Sequence, residues 1–260
     1  MPSNEADTYQ ALIEDLMYLK LDKLAEELPQ IMDKVNRREL NTLEALYLLI
    51  NKQAGQKKLS SIRNKIKTAG FPHLKELKDF DFAFQAMVNK SQIYDLATLE
   101  FTDRAENIVF LGSPGVGKTH LATALGIEAA KKGALTYFIK AHELLAKLRQ
   151  ARDENRLESS LRYYNRYKLL IIDELGFLPI LKGDEKILFQ IIDKRYEKKS
   201  VIVTSNVQFS DWGDLFEDPT IASAILDRLL HHSHVITIVG DSYRTKDLMK
   251  KDEEISIERQ

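Results

Sequence analysis

The stretch Ile108-Val-Phe-Leu-Gly112-Ser-Pro-Gly-Val-Gly117-Lys118-Thr119 decides the reading of this chain. It is a short apolar strand running into G-x-x-x-x-G-K-T and then into a helical pattern, the order that a phosphate cradle requires. The strand fixes where the loop starts, and Gly112, Gly115 and Gly117 let its backbone curl with N–H groups turned inward. The helix that follows adds its positive dipole end. A lysine at a helix start is electrostatically disfavoured unless an anion sits there. Lys118 therefore reads as the cation for the β- and γ-phosphates, and the Thr119 hydroxyl as a ligand for Mg²⁺. Gly112, Ser113, Pro114, Gly115, Val116, Gly117, Lys118 and Thr119 are expected to bind a nucleoside triphosphate, with His120 behind them touching nucleotide or capping the pocket.

The chain around this loop has 260 residues, 44% of them hydrophobic and 30% charged. It is long enough for one large domain, or one plus a small one. No stretch approaches the roughly 18 uninterrupted apolar residues of a membrane span. Met1-Pro-Ser-Asn-Glu-Ala-Asp is polar and acidic, unlike a secretory or transit peptide, so a cytoplasmic protein without a membrane partner is expected. There is no cysteine, which excludes disulfides and thiolate zinc sites.

Upstream of the loop the pattern is helical. Tyr9, Leu12, Ile13, Leu16 and Leu19 fall at helical spacing, with Pro29 as a stop. Asn41 and Glu44 form a capping box that opens a helix through Leu43, Leu46, Tyr47 and Ile50, predicted to end near Gly55. Ser60–Ala69 reads as a further helix with Gly70 as C-cap and Pro72 beyond it. Between Glu44 and Glu76 no acidic residue intervenes, while Lys57, Lys58, Arg63, Lys65 and Lys67 accumulate in the interval. Such a stretch carries a strong local positive field in a chain of net charge −1. It lacks interleaved aromatic residues for stacking on single strands, so these five residues are expected to contact the backbone of duplex DNA. Residues 1–78 are read as a small all-helical domain for DNA or a partner.

Downstream, five apolar runs alternate with helical patterns: Ile108–Leu111, Leu135–Ile139, Leu169–Ile172, Val201–Thr204 and His234–Val239. They lack polar alternation, as parallel strands buried on both faces do. Helices are predicted near Lys118–Lys132, His142–Ala151, Leu157–Arg166, Asp184–Lys198 and Thr220–Leu230. The fold class is thus α/β, a parallel sheet flanked by helices, with its ligand at the carboxyl ends of the strands. Residues 79–246 form this domain and 247–260 a charged tail.

Two later strands end in the residues that phosphoryl chemistry needs. Leu169-Leu-Ile-Ile-Asp173-Glu174 is an apolar strand ending in two carboxylates. Asp173 belongs beside the Mg²⁺ at Thr119, and Glu174 is placed to polarise a water for in-line attack. Val201-Ile-Val-Thr204-Ser205-Asn206 ends at the same sheet edge, where Asn206, or Thr204 in its stead, can position that water.

These elements look like the Walker A, Walker B and sensor 1 elements of the AAA+ ATPases, a class of P-loop NTPases. In detail, Gly112-Ser-Pro-Gly-Val-Gly-Lys-Thr-His-Leu-Ala122, Ile171-Ile-Asp-Glu-Leu-Gly-Phe-Leu-Pro179, Ala224-Ile-Leu-Asp-Arg-Leu229 and Asp241-Ser-Tyr-Arg244 resemble the IstB/DnaC-like branch. The resemblance to IstB-like transposition helper ATPases runs from about Phe71-Pro72 to Lys246. It implies ATP and Mg²⁺ as cofactors, and a homo-oligomer assembled with ATP on double-stranded DNA to help a cognate transposase engage its target. It also implies that Arg228 is an arginine finger for a neighbouring subunit's γ-phosphate and Arg244 a sensor 2 arginine. The stretch after the last strand is too short for the helical lid usual in that class. A helicase loader of the DnaC type is the alternative. A P-loop kinase is a third reading, opposed by the Asp173-Glu174 pair, Asn206 and Arg228.

Other signals are weaker. His231, His232 and His234 follow a helix end, where histidines favour the negative dipole; with no cysteine or carboxylate to complete a metal site, they are read as structural rather than as metal ligands. Phe80, Phe82, Phe84 and Tyr94 read as core packing. Arg149, Arg152 and Arg156 recur at helical spacing and form a second basic candidate for DNA.

Overall fold

The five apolar runs pair as strands. In the computed structural model, which describes residues 5–246, they are β1 (Asn107–Gly112), β2 (Thr136–Lys140), β3 (Leu169–Leu175), β4 (Ser200–Ser205) and β5 (Ser233–Ile238). All neighbours are parallel, in the order β2-β3-β4-β1-β5. The charged tail expected at 247–260 lies outside the described residues. Before the sheet come α1 (Glu5–Tyr18), α2 (Asp22–Asn36), α3 (Thr42–Thr68), α4 (Lys90–Leu96) and α5 (Glu100–Asp103). Between and after the strands lie α6 (Lys118–Lys131), α7 (Ala141–Asp153), α8 (Leu157–Asn165), α9 (Asp184–Arg195), α10 (Trp212–Leu215) and α11 (Pro219–Leu230). Among the described residues no helix is long and apolar enough to cross a membrane.

Strand periodicity sorts the sheet's side chains into two cores. Val109 and Leu111 of β1, Leu170 and Ile172 of β3, and Val201 and Val203 of β4 pack with Leu144, Leu148, Ile191 and Ile225 from α7, α9 and α11. The alternate residues Ile108, Phe110, Leu169, Ile171 and Ile202 pack with Leu121, Ala124 and Leu125 of α6. Each such aliphatic side chain contributes roughly 1.5–3 kcal/mol on full burial, so the central strands are held from both sides. β5 departs from the expectation of two-sided burial. Ile236 and Ile238 are buried in the core on the α6 side, while Val235 and, just past the strand, Val239 are exposed, so only one face of this edge strand is covered.

A buried cation ties this sheet to its helices. Arg195 is 1% exposed, and its guanidinium donates to the carbonyls of Tyr164, Tyr167, Lys168 and Ser200 at 2.7–3.2 Å. It thereby locks the end of α9 to the entries of β3 and β4. Burial pushes its pKa down to about 9.

The chain divides into two units, Met1–Asn64 and Lys65–Gln260. The boundary expected at residue 78 lies inside the second. The first unit has its own small core, in which Leu16, Leu28, Ile31, Ala45 and Leu49 are buried together. Two of the predicted helix ends are absent from the fold. α2 runs through Pro29, where burial of Leu28 and Ile31 on either side offsets the missing backbone donor. α3 runs through Gly55, since one glycine costs only about 1 kcal/mol relative to alanine. The predicted break and the separate basic helix are therefore one helix, ended by Gly70 at φ +75°. Its start is capped as expected, with Asn41 N–H donating to Glu44 and Glu44 N–H to Asn41 Oδ1, at 2.9 and 3.0 Å. The apolar stripe Leu43, Leu46, Tyr47 and Ile50 is exposed, and Ala45, Leu49 and Gln53 are buried instead.

Candidate nucleotide site

At the carboxyl edge of the sheet the 112–119 loop wraps the start of α6. Lys118 Nζ donates to the carbonyls of Gly112 at 2.7 Å and Ser113 at 2.8 Å, so these two residues hold the lysine across the loop. Pro114, Gly115, Val116, Gly117, Lys118, Thr119 and His120 line a cavity of about 450 Å³, within the roughly 300–1,000 Å³ of small-molecule sites. Burial lowers the Lys118 pKa; the carboxylate of Asp173 opposes that shift and the guanidinium of Arg244 adds to it. A cation so depressed gains from an anionic partner. Gly115 has φ +87°, and a Cβ there would lie 2.0 Å from Ser242 Oγ, so only glycine fits this crossing.

The cavity floor is a hydrogen-bonded chain. Asp173 Oδ1 accepts from Thr119 Oγ1 at 2.9 Å and from Thr204 Oγ1 at 2.6 Å, and Thr204 Oγ1 accepts from Glu174 N–H at 2.9 Å. Thr204, one of the two residues considered beside Glu174, thus sits inside the network, while Asn206 lines the cavity at its exposed edge. Asp173 is 1% exposed, and burial raises its pKa against the hydrogen bonds from Thr204 and Thr119. A carboxylate and a hydroxyl are hard oxygen donors of the type Mg²⁺ takes, and a divalent charge would favour the buried anion. Thr119 and Asp173 are therefore the residues that fit this ion.

Regular strand alternation would send Asp173 and Glu174 to opposite faces. Instead β3 advances from Ile172 to Leu175 while β4 advances from Val203 to Ser205, one residue extra on β3. The bulge puts Glu174 at φ +60°, a conformation that costs a non-glycine residue of order 1–3 kcal/mol. The bond from its N–H to Thr204 replaces the lost ladder bond. Both carboxylates consequently face the cavity. Sequence reasoning missed the partner of Glu174: Lys140, at the end of β2, holds Glu174 Oε2 at 2.9 Å. Lys140 pairs with Asp173 in the β2–β3 register, a signal readable only once the strands are ordered.

Two further segments form the walls. Residues 72–85 supply Pro72, His73, Phe80, Asp81 and Gln85, with Phe80 packed against the loop and its ring 5.3 Å from that of His120. His120 Nε2 lies 3.0 Å from the Glu76 carbonyl, and the His73 ring is 5.7 Å from its own. Phe80 belongs to the core as expected but also lines the site, and Tyr94 is exposed rather than core. Residues 240–246 close the other side. Tyr243 N–H donates to the Gly115 carbonyl at 3.0 Å, Lys246 Nζ pairs with Asp81 at 2.6 Å, and Arg244 lines the cavity.

Other expected site residues stand apart. Arg228 on α11 is not among the cavity's lining residues; its Nε donates to Asp193 at 2.8 Å and its guanidinium lies 4.6 Å over the Phe189 ring. Lys57, Lys58, Arg63 and Lys67 are exposed on α3, while Lys65 differs, its ammonium donating to the Gly133 carbonyl at 2.7 Å. Arg149 is held by buried Asp184 at 2.7 and 3.0 Å, and Arg152 and Arg156 pair with Asp153 and Glu154.

A five-stranded parallel sheet in this order, a glycine-rich cradle before α6 and a carboxylate pair on the next strand but one define a P-loop ATPase domain of the AAA+ class. The family model described as IstB-like ATP binding protein matches residues 14–251. A protein of Bacillus thuringiensis subsp. berliner, named for insertion sequence IS232, is 51% identical over 246 residues, covering 95% of this chain and 98% of that one. One from Pseudomonas aeruginosa, named for insertion sequence IS21, is 40% identical over 90% of this chain and 89% of its own length. Among solved structures, DnaI superposes with a TM-score of 0.55 at 21% identity over 68% of this chain and 94% of its own. AMPPCP-bound DnaA from Aquifex aeolicus gives 0.53 at 22% identity over 72% and 57%. Both share the fold. This chain belongs to the IstB-like ATP binding protein family.

The histidines at the cavity give a pH dependence. Burial lowers the pKa of both His120 and His73 from the ordinary value of 6.5. The folded state therefore prefers them neutral, so their stability contribution is present above pH 6.5 and is lost as pH falls below it. Thermal unfolding between pH 7.5 and 5.5 is expected to show a falling midpoint whose slope is shallower in His120→Gln. An identical slope in the variant would assign the dependence to other groups.

Proposed function

We propose that this chain hydrolyses ATP within a homo-oligomer on double-stranded DNA and helps a transposase engage that DNA. The observation that carries the reading is the hydrogen-bonded chain Thr119–Asp173–Thr204–Glu174, which gathers hard oxygen donors and a second carboxylate at the mouth of one glycine-rich loop. Gly112–His120 would bind the triphosphate, with Lys118 moving from the loop carbonyls to the β- and γ-phosphates. Thr119 and Asp173 would hold Mg²⁺, which would supply positive charge against the phosphates. Glu174 would take a proton from the attacking water, and Asn206 would orient that water. Arg244, already in the cavity wall, supplies a second cation. Lys140 holds Glu174 in a partly exposed ion pair, and its release would free the base.

The relatives named for insertion sequences, matched over nine-tenths of the chain or more, favour a transposase as partner. The helicase-loader alternative is supported by the fold alone. Arg228 is partly exposed and outside its own subunit's cavity, the position a residue acting on a neighbour's nucleotide needs. Lys57, Lys58 and Arg63 are exposed on α3 in a stretch without acidic residues, which suits sequence-independent phosphate contacts.

Glu174→Gln is expected to bind ATP and duplex DNA normally, to hydrolyse at least about a hundredfold more slowly, and to leave long-lived DNA complexes. Rapid steady-state turnover would assign the base elsewhere. Mixing Arg228→Ala with Lys118→Ala protein should restore part of the hydrolysis, since an intact cradle then meets an intact arginine. Absence of rescue in confirmed mixed assemblies would place Arg228 in a cis or purely structural role. Neutralising Lys57, Lys58 and Arg63 together should lower the log K against log salt slope by roughly two to three. An unchanged slope would move the DNA contact off α3.

A further inference from the structure

The three histidines after α11 part company in the fold. His234 Nε2 sits 2.8 Å from Glu106 Oε2. His231 and His232 gather elsewhere, with ring centroids 4.0 Å apart. Their own run carries no carboxylate, but the turn after α9 supplies one. Glu197 Oε1 lies 3.9 Å from His231 Nδ1 and 3.7 Å from His232 Nε2. Ligand atoms of these three residues lie within 4.8 Å of one another, the one such group among the described residues.

We propose that Glu197, His231 and His232 form a binding site for a borderline divalent transition metal, of which Zn²⁺ is the type, at the joint between the ends of α9 and α11. Two imidazoles and a carboxylate are the donor set that selects such an ion over Mg²⁺ or Ca²⁺, which prefer oxygen alone. Bonds of about 2.0–2.2 Å in a tetrahedron require ligand atoms about 3.3 Å apart. The two nitrogen–oxygen separations of 3.9 and 3.7 Å therefore close by about half an ångström. Side chains 50%, 50% and 55% exposed reach this by rotation. The turn that presents Glu197 is itself fixed, with the N–H groups of Lys198 and Lys199 both donating to the Arg195 carbonyl at 2.9 Å. Glu197 stands there at φ +55°. The nearby cation Arg228 is already paired with Asp193 at 2.8 Å.

Tyr196 competes for the same histidine, its hydroxyl lying 2.6 Å from His231 Nδ1 and its ring stacked on the imidazole. Metal binding at Nδ1 replaces that hydrogen bond and leaves a fourth position open to water. The bound ion would join two helix ends that are far apart in sequence, so it stabilises the folded chain by mass action.

The test uses the full chain, stripped with chelator and returned to buffer containing saturating Mg²⁺, titrated with Zn²⁺ calorimetrically and with Co²⁺ by visible absorption. Wild type and the control His234→Ala are expected to take one Zn²⁺ per chain at micromolar free metal, with a raised Tm. His232→Ala and Glu197→Gln should weaken binding about tenfold or more and lose the Tm shift. Their metal-free Tm, close to wild type because these side chains are exposed, checks that they fold. Equal Zn²⁺ affinity in both variants, or wild-type binding only at millimolar metal, would overturn the proposal.

Discussion

The rest of the site depends on one buried carboxylate oxygen. Asp173 Oδ1 accepts hydrogen bonds from Thr119 of α6 and Thr204 of β4, so a single atom of β3 joins the helix after the glycine-rich loop to the central strand. Burying a carboxylate is costly, and burial raises its pKa here. The two hydroxyls repay part of that cost. A divalent cation would remove more of it, which makes the floor of the cavity a place where metal charge and fold stability are coupled. The same threonine that donates to Asp173 receives the N–H of Glu174 and supports its left-handed backbone. Strain at the bulge and burial at the carboxylate are thus secured by one side chain.

Above this floor the cavity is built by segments distant in sequence. The sheet provides a rigid edge because its central strands are packed on both faces. On that edge, residues 80–85 and 240–246 meet through Lys246–Asp81 and through the bond from the Gln85 side-chain amide to the Asp241 carbonyl at 2.8 Å. Arg244 therefore reaches the site from a short segment tied to the loop by Tyr243 and Gly115. The position of that arginine follows from backbone contacts to the cradle itself.

Much of this was legible in the sequence. All five strands were readable because each is a short run rich in apolar residues, entering both cores in the central strands and one core only in β5. The cradle was readable because its glycines and lysine answer to local backbone geometry and charge. What stayed hidden depends on non-local pairing. The bulge at Glu174 and the Lys140 ion pair exist only through the β2–β3–β4 register. Glu197 joins His231 and His232 only because α9 and α11 end side by side. Pro29 and Gly55 were misread as stops because a local helix penalty of one to a few kcal/mol is outweighed by packing or by the length of the helix. The exposed stripe on α3 carries the spacing of a buried face, and spacing alone does not say what covers it.

In the function proposed above, Asp173 organises the site for metal-bound nucleotide. The most direct test of that role is the ATP affinity of Asp173→Asn, measured by calorimetry with Mg²⁺ and with excess chelator. Asparagine keeps the size of the side chain but removes the charge that a divalent ion needs. Wild type is expected to bind ATP more tightly with Mg²⁺, and the variant to lose that gain while keeping its metal-free affinity. An undiminished Mg²⁺ enhancement in the variant would contradict that role.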